Sequence, residues 1–369
     1  MAVLRIELDN ILCFNNFEAD FTYPKKLVNS PLDYEYLKDY QKMRYKKVNI
    51  LIGSNATGKT SLGRAIWTTL RFMLNKEGER LKEIVSDSSK DAFILLDCVF
   101  SVGLFFRIEI KILSSGDILA RYSPLHLSKQ DTYENVVSKI DVSRPFNNYV
   151  VELQNAISGG WNFLFPTIET GFDVISCKYE EKNVKEFVSV YEDVLKTFDS
   201  SIKSVSKSIE QNDSYIINFN DGRTVRVTHG ESLSDLKGLS SGTKYAINVA
   251  GLLCAIKNHS NGFYYVDEQF SYVNSEIEIA CLSTMIDLLG DGEQLFLTTH
   301  NKDVLDMPLP NHSFNFLKKE KDSKGIDHIW MINVSDFEKR NNVNPKNLYD
   351  NNYFDVFPDI KNIIKIGEA

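Results

Sequence analysis

Alternating hydrophobic and polar positions along the chain predict several strands and hairpins. Runs of alternating or continuous apolar residues, rich in β-branched and aromatic side chains, are typical of strands, and turn residues between two runs indicate a hairpin. Such runs cover residues 3–8, 17–21, 48–52, 92–100, 104–112, 215–219, 223–227, 262–266 and 294–299. The turns fall at Asn15-Asn16 and at Asn220-Asp221-Gly222. The run at 48–52 is short and largely β-branched, as in strands buried in the middle of a sheet.

Apolar residues spaced three to four positions apart predict helices. These patterns cover residues 34–44, 60–74, 184–209, 243–257 and 275–289. From residue 240 onward, helix and strand patterns alternate, which is typical of an α/β fold. The pattern at 184–209 corresponds to about seven turns. Its heptads are not sustained, so we expect no coiled-coil arm.

The distribution of charge distinguishes one segment from the rest of the chain. The 369-residue chain carries 42 Lys and Arg against 50 Asp and Glu, a net charge of −8. This balance argues against a protein that coats nucleic acid by bulk charge. Residues 25–47 nevertheless hold seven basic and three acidic side chains. We interpret this segment as a solvated helix face, with a contact to nucleic acid or a partner protein as the alternative.

The cysteines and the apolar runs bear on the compartment. The five cysteines are odd in number and are not spaced like metal ligands (Cys13, Cys98, Cys177, Cys254, Cys281). They are typical of the thiols of a reducing compartment. No apolar run reaches the roughly 18 residues that cross a bilayer, and the N-terminal residues lack the apolar core of a signal peptide. We therefore expect a cytoplasmic protein with no membrane segment.

The most informative motif lies between a predicted buried strand and a predicted helix. Its residues are Gly53, Ser54, Asn55, Ala56, Thr57, Gly58, Lys59 and Thr60, followed by Ser61. The spacing fits G-x-x-x-x-G-K-[ST], in which glycines let backbone N–H groups surround a phosphate chain. Lys59 would reach the β- and γ-phosphates, and the Thr60 hydroxyl would bind Mg²⁺. The motif predicts a site for a nucleoside triphosphate.

Two later strands end in residues that suit the same chemistry. The strand at 262–266 is followed by Asp267, a candidate Mg²⁺ ligand, and by Glu268, a candidate general base for an attacking water. The strand at 294–299 is followed by His300, 33 residues after Asp267. We expect His300 to lie at the same phosphate end as Glu268.

A Ser–Gly segment opens the helix pattern that precedes Asp267. It reads Leu239-Ser240-Ser241-Gly242-Thr243. Either serine would serve as an N-cap, and helix capping alone is one interpretation. The other is that Ser240, Ser241 and Gly242 form a second phosphate site at a helix N-terminus.

Taken together and in this order, these motifs resemble the ATPase heads of the ATP-binding-cassette (ABC) type. The opening at 4–18 and the segment Asn49–Asn55 resemble the RecF/SMC branch, and Thr298-Thr299-His300-Asn301 is similar to ATPases of abortive-infection and overcoming-lysogenisation-defect systems. The resemblance implies a head-to-tail homodimer, or a higher oligomer, with ATP and Mg²⁺ between protomers. Glu268 would then be the catalytic base and His300 the γ-phosphate sensor. The glutamine that such heads place near the metal is either Gln130 or Gln154.

The expected fold is therefore a single composite α/β domain over residues 1–369. It is a P-loop NTPase head of ABC type with a mixed central sheet, an N-terminal antiparallel β subdomain and an inserted helical and mixed lobe. Its parts are an N-terminal lobe at 1–80 with a basic insertion at 24–47, a β-hairpin and helical lobe at 81–235, and a C-terminal lobe at 236–369.

Three functions follow from the resemblance. The first is an antiphage-defence ATPase that controls a separate effector. After His300, 69 residues remain without a second carboxylate cluster suited to a two-metal nuclease, so a toprim-type nuclease would be a separate chain. The second is a RecF/SMC-like ATPase of DNA repair or maintenance, which would contact DNA. The third is the ATPase subunit of a transporter, which the N-terminal pattern disfavours.

Overall fold

A computed structural model describes residues 1–24, 30–156, 159–165, 184–209, 214–228, 236–323, 325–337, 343–358 and 361–368. The chain divides into two compact units. Unit 1 comprises Met1–Gly159 and Thr298–Ala369, and unit 2 comprises Gly160–Leu297.

Unit 1 contains an antiparallel sheet with the strand order β2-β1-β6-β7-β8-β9. Its strands are β1 (Ala2–Asp9), β2 (Phe17–Asp20), β6 (Ala92–Phe100), β7 (Leu104–Ile112), β8 (Ile118–His126) and β9 (Asn147–Asn148). The hairpin predicted at 92–112 is confirmed, with Phe100 paired to Leu104 across its turn. The opening pair predicted around Asn15-Asn16 is also confirmed, because Leu8 pairs with Phe17.

The remaining strands of unit 1 position the loop at 53–60. These are β3 (Tyr36–Leu37), β4 (Tyr40–Arg44), β5 (Val48–Ile52), β16 (Phe314–Lys321) and β17 (Asp327–Asn333). Strands β5, β16 and β17 are neighbours in that order, with β5 and β16 parallel. All five residues of β5 are buried, as predicted. The chain therefore enters the loop at 53–60 from a strand fixed inside unit 1.

The helices of unit 1 are mostly short. They are α1 (Lys59–Asn75), α2 (Gly78–Lys82), α3 (Tyr133–Val137), α4 (Tyr149–Glu152), α8 (Val334–Phe337), α9 (Pro345–Asp350) and α10 (Lys361–Glu368), with 3₁₀ turns at Lys302–Asp306 and Asn311–Ser313. The long helix α1 buries Leu62, Ile66 and Leu70, which are spaced by four residues on one face.

Unit 2 combines three neighbouring strands, helices and a separate three-stranded sheet. Its elements are β10 (Trp161–Leu164), α5 (Val184–Phe198), β11 (Ile202–Lys207), β12 (Ser214–Phe219), β13 (Thr224–Thr228), α6 (Ser241–Lys257), β14 (Phe263–Asp267) and α7 (Ser275–Leu288), followed by β15 (Gln294–Thr299), whose last two residues belong to unit 1. Strands β10, β14 and β15 are neighbours in that order, and β11, β12 and β13 form the separate sheet.

Two helix predictions are wrong. Residues 34–44 contain the hairpin β3–β4 instead of a helix, and Leu37 pairs with Tyr40 across a two-residue turn. Residues 184–209 do not form one helix, because α5 ends at Phe198 and β11 follows. The chain reverses there, as the Asp199 carboxylate accepts a hydrogen bond from the Ser201 N–H at 3.0 Å. Such local side-chain bonds compete with helix continuation.

Candidate functional site

The loop at residues 53–60 has a backbone that needs glycine. Gly58 has a φ of 98° and Ala56 a φ of 64°, both in the left-handed region. A Cβ on Gly58 would lie 3.0 Å from Cζ of Phe14, and a Cβ on Gly53 would lie 2.6 Å from Oγ1 of Thr57. A Cβ at either position would crowd its neighbours, and at Gly58 the positive φ adds strain, so the fold of this loop favours glycine at both positions.

Lys59 and Thr57 hold the loop from inside. Lys59 is 4% exposed, and its Nζ donates to the carbonyl oxygens of Gly53 at 2.8 Å and Ser54 at 3.3 Å. The Thr57 hydroxyl donates to the Ser54 carbonyl at 2.9 Å. The lysine that the motif assigns to phosphate thus lies folded over the loop, with its ammonium next to the loop's own backbone.

Helix α1 starts at this loop and presents its N-terminus there. It begins at Lys59 after Gly58, and its first turn contains no acidic residue. The unpaired N–H groups and the helix dipole make such an end favourable for an anion. Thr60 and Ser61 are partly exposed, and Asn55 and Ala56 are exposed. The geometry therefore suits a phosphate chain.

Strand β14 in unit 2 places two carboxylates in different surroundings. All of its residues are buried, and its last residue, Asp267, is 0% exposed. Glu268 is partly exposed and has a φ of 47°. A left-handed backbone at a non-glycine residue costs roughly 1–2 kcal/mol and is concentrated at functional sites. Nine other non-glycine residues of the described chain also have a positive φ, so this strain by itself assigns Glu268 no role.

The neighbouring Gln269 fixes the end of this strand. It is fully buried, and its Nε2 donates to the carbonyl oxygens of Phe165 and Asp267, both at 3.0 Å. Its Oε1 accepts from Asn248 on α6 at 3.2 Å. Gln269 has no signal in the sequence, because an amide beside two carboxylates carries no motif of its own.

The Ser–Gly segment is the N-terminus of α6. Ser240 is the N-cap, and its hydroxyl accepts from the Thr243 N–H at 3.1 Å. Ser240 and Ser241 are exposed, and the first turn holds no acidic residue. A Cβ on Gly242 would lie 3.6 Å from the Tyr272 carbonyl oxygen, an ordinary contact. Packing against the described residues of the chain therefore does not require glycine at this position.

His300 follows β15 and is exposed. Next to it, the Asn301 N–H donates to Oγ1 of Thr299 at 3.0 Å, and the Asn301 side chain accepts from the Asp303 N–H. These bonds fix the backbone on the C-terminal side of the histidine. Unit 1 thus contains Lys59, Thr60 and His300, and unit 2 contains Asp267, Glu268 and the signature residues Ser240, Ser241 and Gly242. The roles assigned to them stay predictions.

The basic segment differs from its interpretation as a solvated helix face. Lys46 and Lys47 are buried. The Nζ of Lys46 donates a hydrogen bond to the Asp20 carbonyl oxygen, and the Nζ of Lys47 donates one to the Asp33 carbonyl oxygen, both at 2.8 Å. Burial lowers the pKa of Lys46, although Asp20 and Asp336 oppose the shift. The ammonium groups of both lysines are therefore buried and bonded within unit 1, and they do not form part of a solvated face. Lys25 and Lys26 lie outside the described residues.

The remaining predictions concern two glutamines, the cysteines, metal binding and membrane spans. Gln130 and Gln154 are both exposed in turns of unit 1, so the choice between them stays open. Among the described residues, Cys13, Cys98, Cys254 and Cys281 form no disulfide, and Cys177 lies outside the described residues. In the described part of the chain, no cluster of three or more His, Cys, Asp or Glu could hold a metal ion. Among the described helices, none has both the length and the apolar character of a membrane span.

Comparison with known proteins identifies the fold. No family model and no curated protein matches this sequence. Two solved structures are similar over 91% of the chain. One is the SmcHead bound to the C-winged helix domain of ScpA (TM-score 0.51, 10% identity, all of that chain covered). The other is the Smc head domain with an extended coiled coil, bound to the C-terminal domain of ScpA, from Pyrococcus furiosus (TM-score 0.52, 8% identity, 98% covered). The chain therefore has a mixed α/β fold with several sheets, similar to the fold of Smc heads.

Proposed function

We propose that this chain is an ABC-type ATPase that binds ATP with Mg²⁺, dimerises around the nucleotide and hydrolyses it. The observation that carries the proposal is the loop at 53–60. Its backbone is shaped by Gly53 and Gly58, Lys59 is folded over it, and α1 begins there without an acidic residue in its first turn. These are the elements that bind a phosphate chain in P-loop proteins.

The chemistry of Thr60 and Asp267 suits magnesium, and we propose them as its ligands. Mg²⁺ takes oxygen ligands and keeps part of its shell for phosphate and water, and the Thr60 hydroxyl and the Asp267 carboxylate are oxygen donors. When bound, the ion would neutralise charge on the phosphate oxygens. The loop N–H groups and Lys59 hold the β- and γ-phosphates. Glu268 accepts the proton of the attacking water, and His300 contacts the γ-phosphate.

The signature residues support the dimer part of the proposal. Ser240 and Ser241 are exposed at a helix N-terminus, where an anion is favoured. In the proposed head-to-tail dimer, Ser240 and Gly242 of one protomer bind the γ-phosphate that Lys59 of the other protomer holds. ATP would then be the main bond between protomers.

Substitution of Glu268 and of Lys59 tests this mechanism. Glu268→Gln should keep ATP binding and stop hydrolysis, since an amide accepts no proton from water, so an ATP-bound dimer should accumulate in size-exclusion chromatography with light scattering. Lys59→Ala should lose nucleotide binding and remain monomeric with ATP. Glu276→Gln, an exposed carboxylate in the first turn of α7, and Lys82→Ala, an exposed lysine on α2, serve as matched controls.

Two results would contradict the mechanism. Hydrolysis by Glu268→Gln at the wild-type rate would remove Glu268 from the role of base. ATP binding by Lys59→Ala with unchanged affinity would remove the loop from the role of nucleotide site.

For the cellular role, we propose that the ATP-bound dimer controls a separate effector, a toprim-type nuclease, in antiphage defence. The support is the similarity of residues 298–301 to abortive-infection ATPases. The alternative is a RecF/SMC-like role in DNA repair or maintenance, and the similarity of the fold to Smc heads favours it equally.

Purification of the Glu268→Gln protein with ATP from its native cells distinguishes these roles. A nuclease that co-purifies in the presence of ATP, and is lost with Lys59→Ala, supports effector control. ATP-dependent binding to duplex DNA, with an affinity that falls as salt rises, supports the alternative.

A further inference from the structure

The signature helix α6 shares its hydrophobic core with the lobe that precedes it. The lobe consists of α5 and the sheet β11–β13, and its buried side chains pack against one face of α6. The buried members of this core are Phe187, Tyr191, Leu195, Ile202, Val205, Tyr215, Ile217, Phe219, Val227 and Leu236, with Ala246, Ile247, Ala250 and Cys254 from α6. The lobe therefore packs directly on the helix whose first residues are the proposed phosphate ligands.

A polar chain joins the same two elements at the phosphate-facing end. Asp199 follows directly after α5. Its Oδ2 accepts from the Thr243 hydroxyl at 2.9 Å, and Oγ1 of Thr243 lies 2.7 Å from Oγ of Ser240. The other carboxylate oxygen, Oδ1, accepts from the N–H of Ser201 at 3.0 Å and from its hydroxyl at 2.5 Å. Thr243 is fully buried, so the chain is shielded at its centre.

The direction of the hydrogen bonds in this chain is determined by Asp199. Burial opposes the ionisation of Asp199, but the hydrogen bonds from Ser201 and Thr243 outweigh it and lower its pKa. The ionised carboxylate only accepts, so the single hydroxyl proton of Thr243 points to Asp199. Thr243 must then accept from Ser240. The Ser240 oxygen also accepts from the Thr243 N–H, at 3.1 Å.

This direction has a consequence for phosphate binding. A serine hydroxyl has one proton, and a phosphate oxygen can only accept. In this arrangement the Ser240 proton is directed to Thr243, so Ser240 must give up that bond before it can donate to a γ-phosphate.

We propose that Asp199 is a positioning residue that holds the Ser240 hydroxyl turned away from the γ-phosphate and so opposes ATP-dependent dimerisation. The proposal rests on the function proposed above, because it assigns a control to the same signature serine. Since Asp199 lies at the junction of α5 and β11, a partner that moved this junction would release Ser240. The lobe would thereby regulate the dimer.

Asp199→Asn tests the proposal with almost no change in shape. The amide oxygen should stay with the two donors of Ser201, which places the amide nitrogen against Thr243. Its N–H then donates to Thr243, the Thr243 proton turns to Ser240, and the Ser240 proton becomes free for phosphate. In the Glu268→Gln background, sedimentation equilibrium at saturating ATP should show a dimer about tenfold tighter, because each of the two signature motifs gains a hydrogen bond.

The controls separate this effect from a structural one. Asp193→Asn makes the same chemical change at an exposed position of α5 and should leave the dimer constant unchanged. Binding of a fluorescent ATP analogue by the monomer should be equal in both variants, since the loop at 53–60 is untouched. If Asp199→Asn fails to fold, Thr243→Val and Thr243→Ser decide the question. Valine, which cannot accept the Ser240 proton, should tighten the dimer, and serine, which keeps the chain, should not.

A dimer that is weaker or unchanged in Asp199→Asn would overturn the proposal and show that Asp199 only supports the helix. If instead the Glu268→Gln protein itself does not dimerise with ATP, the proposed function fails, and this inference fails with it.

Discussion

The two helix N-termini that we propose as phosphate sites are built in different ways. Helix α1 follows Gly58, and no side chain caps it. Helix α6 is capped by the Ser240 hydroxyl, which belongs to a chain of side-chain hydrogen bonds. Backbone N–H groups have a fixed direction, whereas a hydroxyl can turn its proton. The first site is therefore set by the fold alone, and the second can be changed by its neighbours.

Gly58→Ala should have the largest effect on ATP binding, because the backbone of the loop at 53–60 cannot easily change its conformation. The Cβ would meet Phe14 at 3.0 Å and Sγ of Cys13 at 3.1 Å, at a φ of +98°. Left-handed strain alone costs about 1–2 kcal/mol. We expect a lower melting temperature and loss of ATP binding, measured by thermal unfolding with and without Mg·ATP.

Gly116→Ala is the matched control for this substitution. Gly116 also has a positive φ, +89°, but a Cβ there would meet nothing within 4 Å. It should lose stability from strain and keep full ATP binding. Equal loss of binding in both variants would mean that general destabilisation, and not the shape of the loop, explains the result.

Ser240→Ala should have an intermediate effect that is confined to the second site. The monomer should bind ATP normally, while ATP-dependent dimerisation should weaken about tenfold because a phosphate donor is lost from each signature motif. Loss of the N-cap should also lower the stability by about 1 kcal/mol. Thr132→Ala removes the N-cap of α3 and serves as the control. It should lower stability without weakening the dimer. A weaker dimer in Thr132→Ala would show that the loss of dimerisation in Ser240→Ala comes from lower stability.

The smallest expected effect is on the alkylation rate of Cys13, whose Sγ lies next to Gly58 of the first site. Burial raises the pKa of its thiol, and a hydrogen bond with Ser61 offsets this only in part. Alkylation depends on the thiolate, so the rate at Cys13 should be slow at neutral pH and should keep rising with pH beyond the range of a free cysteine. Site-resolved mass spectrometry after timed alkylation measures it.

Alkylation of Cys13 in the presence of ATP tests whether the first site is as rigid as proposed. If the loop is set by its backbone, ATP should change the alkylation rate of Cys13 less than a rise in pH does. A large change with ATP would show that the first site also rearranges.

Local patterns predicted much of what surrounds the first site. The buried strand β5, the glycines of the loop and helix α1 are consecutive in the chain, and each has its own signal in composition or spacing. The hairpin at 92–112 and the strand at 294–299 also match their predicted bounds. Their structure depends on neighbours in sequence, which is the information that a pattern carries.

The wrong helix at 202–209 has a specific cause. The register of β11 against β12 shifts between Ile202 and Ser204, so the buried residues Ile202 and Val205 are three positions apart. A bulge in a strand thus produced the spacing of a helix. In β3–β4 a similar shift lies between Tyr36 and Leu37, and the two-residue turn carries no glycine or asparagine to indicate it.

The second site could be predicted only in part. Ser240 has a clear N-cap signal, but its control depends on Asp199, which is 44 residues away from Thr243 in sequence. Asp199 begins the segment Asp-Ser-Ser, which by itself predicts only a turn. Only the packing of α5 on α6 brings it to the signature helix.

The core shared by α6 and the lobe also limits how this protein can change. Of the residues of α6, the stretch from Tyr245 to Ile256 is buried throughout, and part of that burial comes from α5 and β11–β13. A deletion of the lobe would expose this apolar face of α6 to water, which is costly. The lobe is therefore not a removable accessory, and we expect insertions and deletions to be tolerated only in its outer turns, such as that at Asn220-Asp221-Gly222.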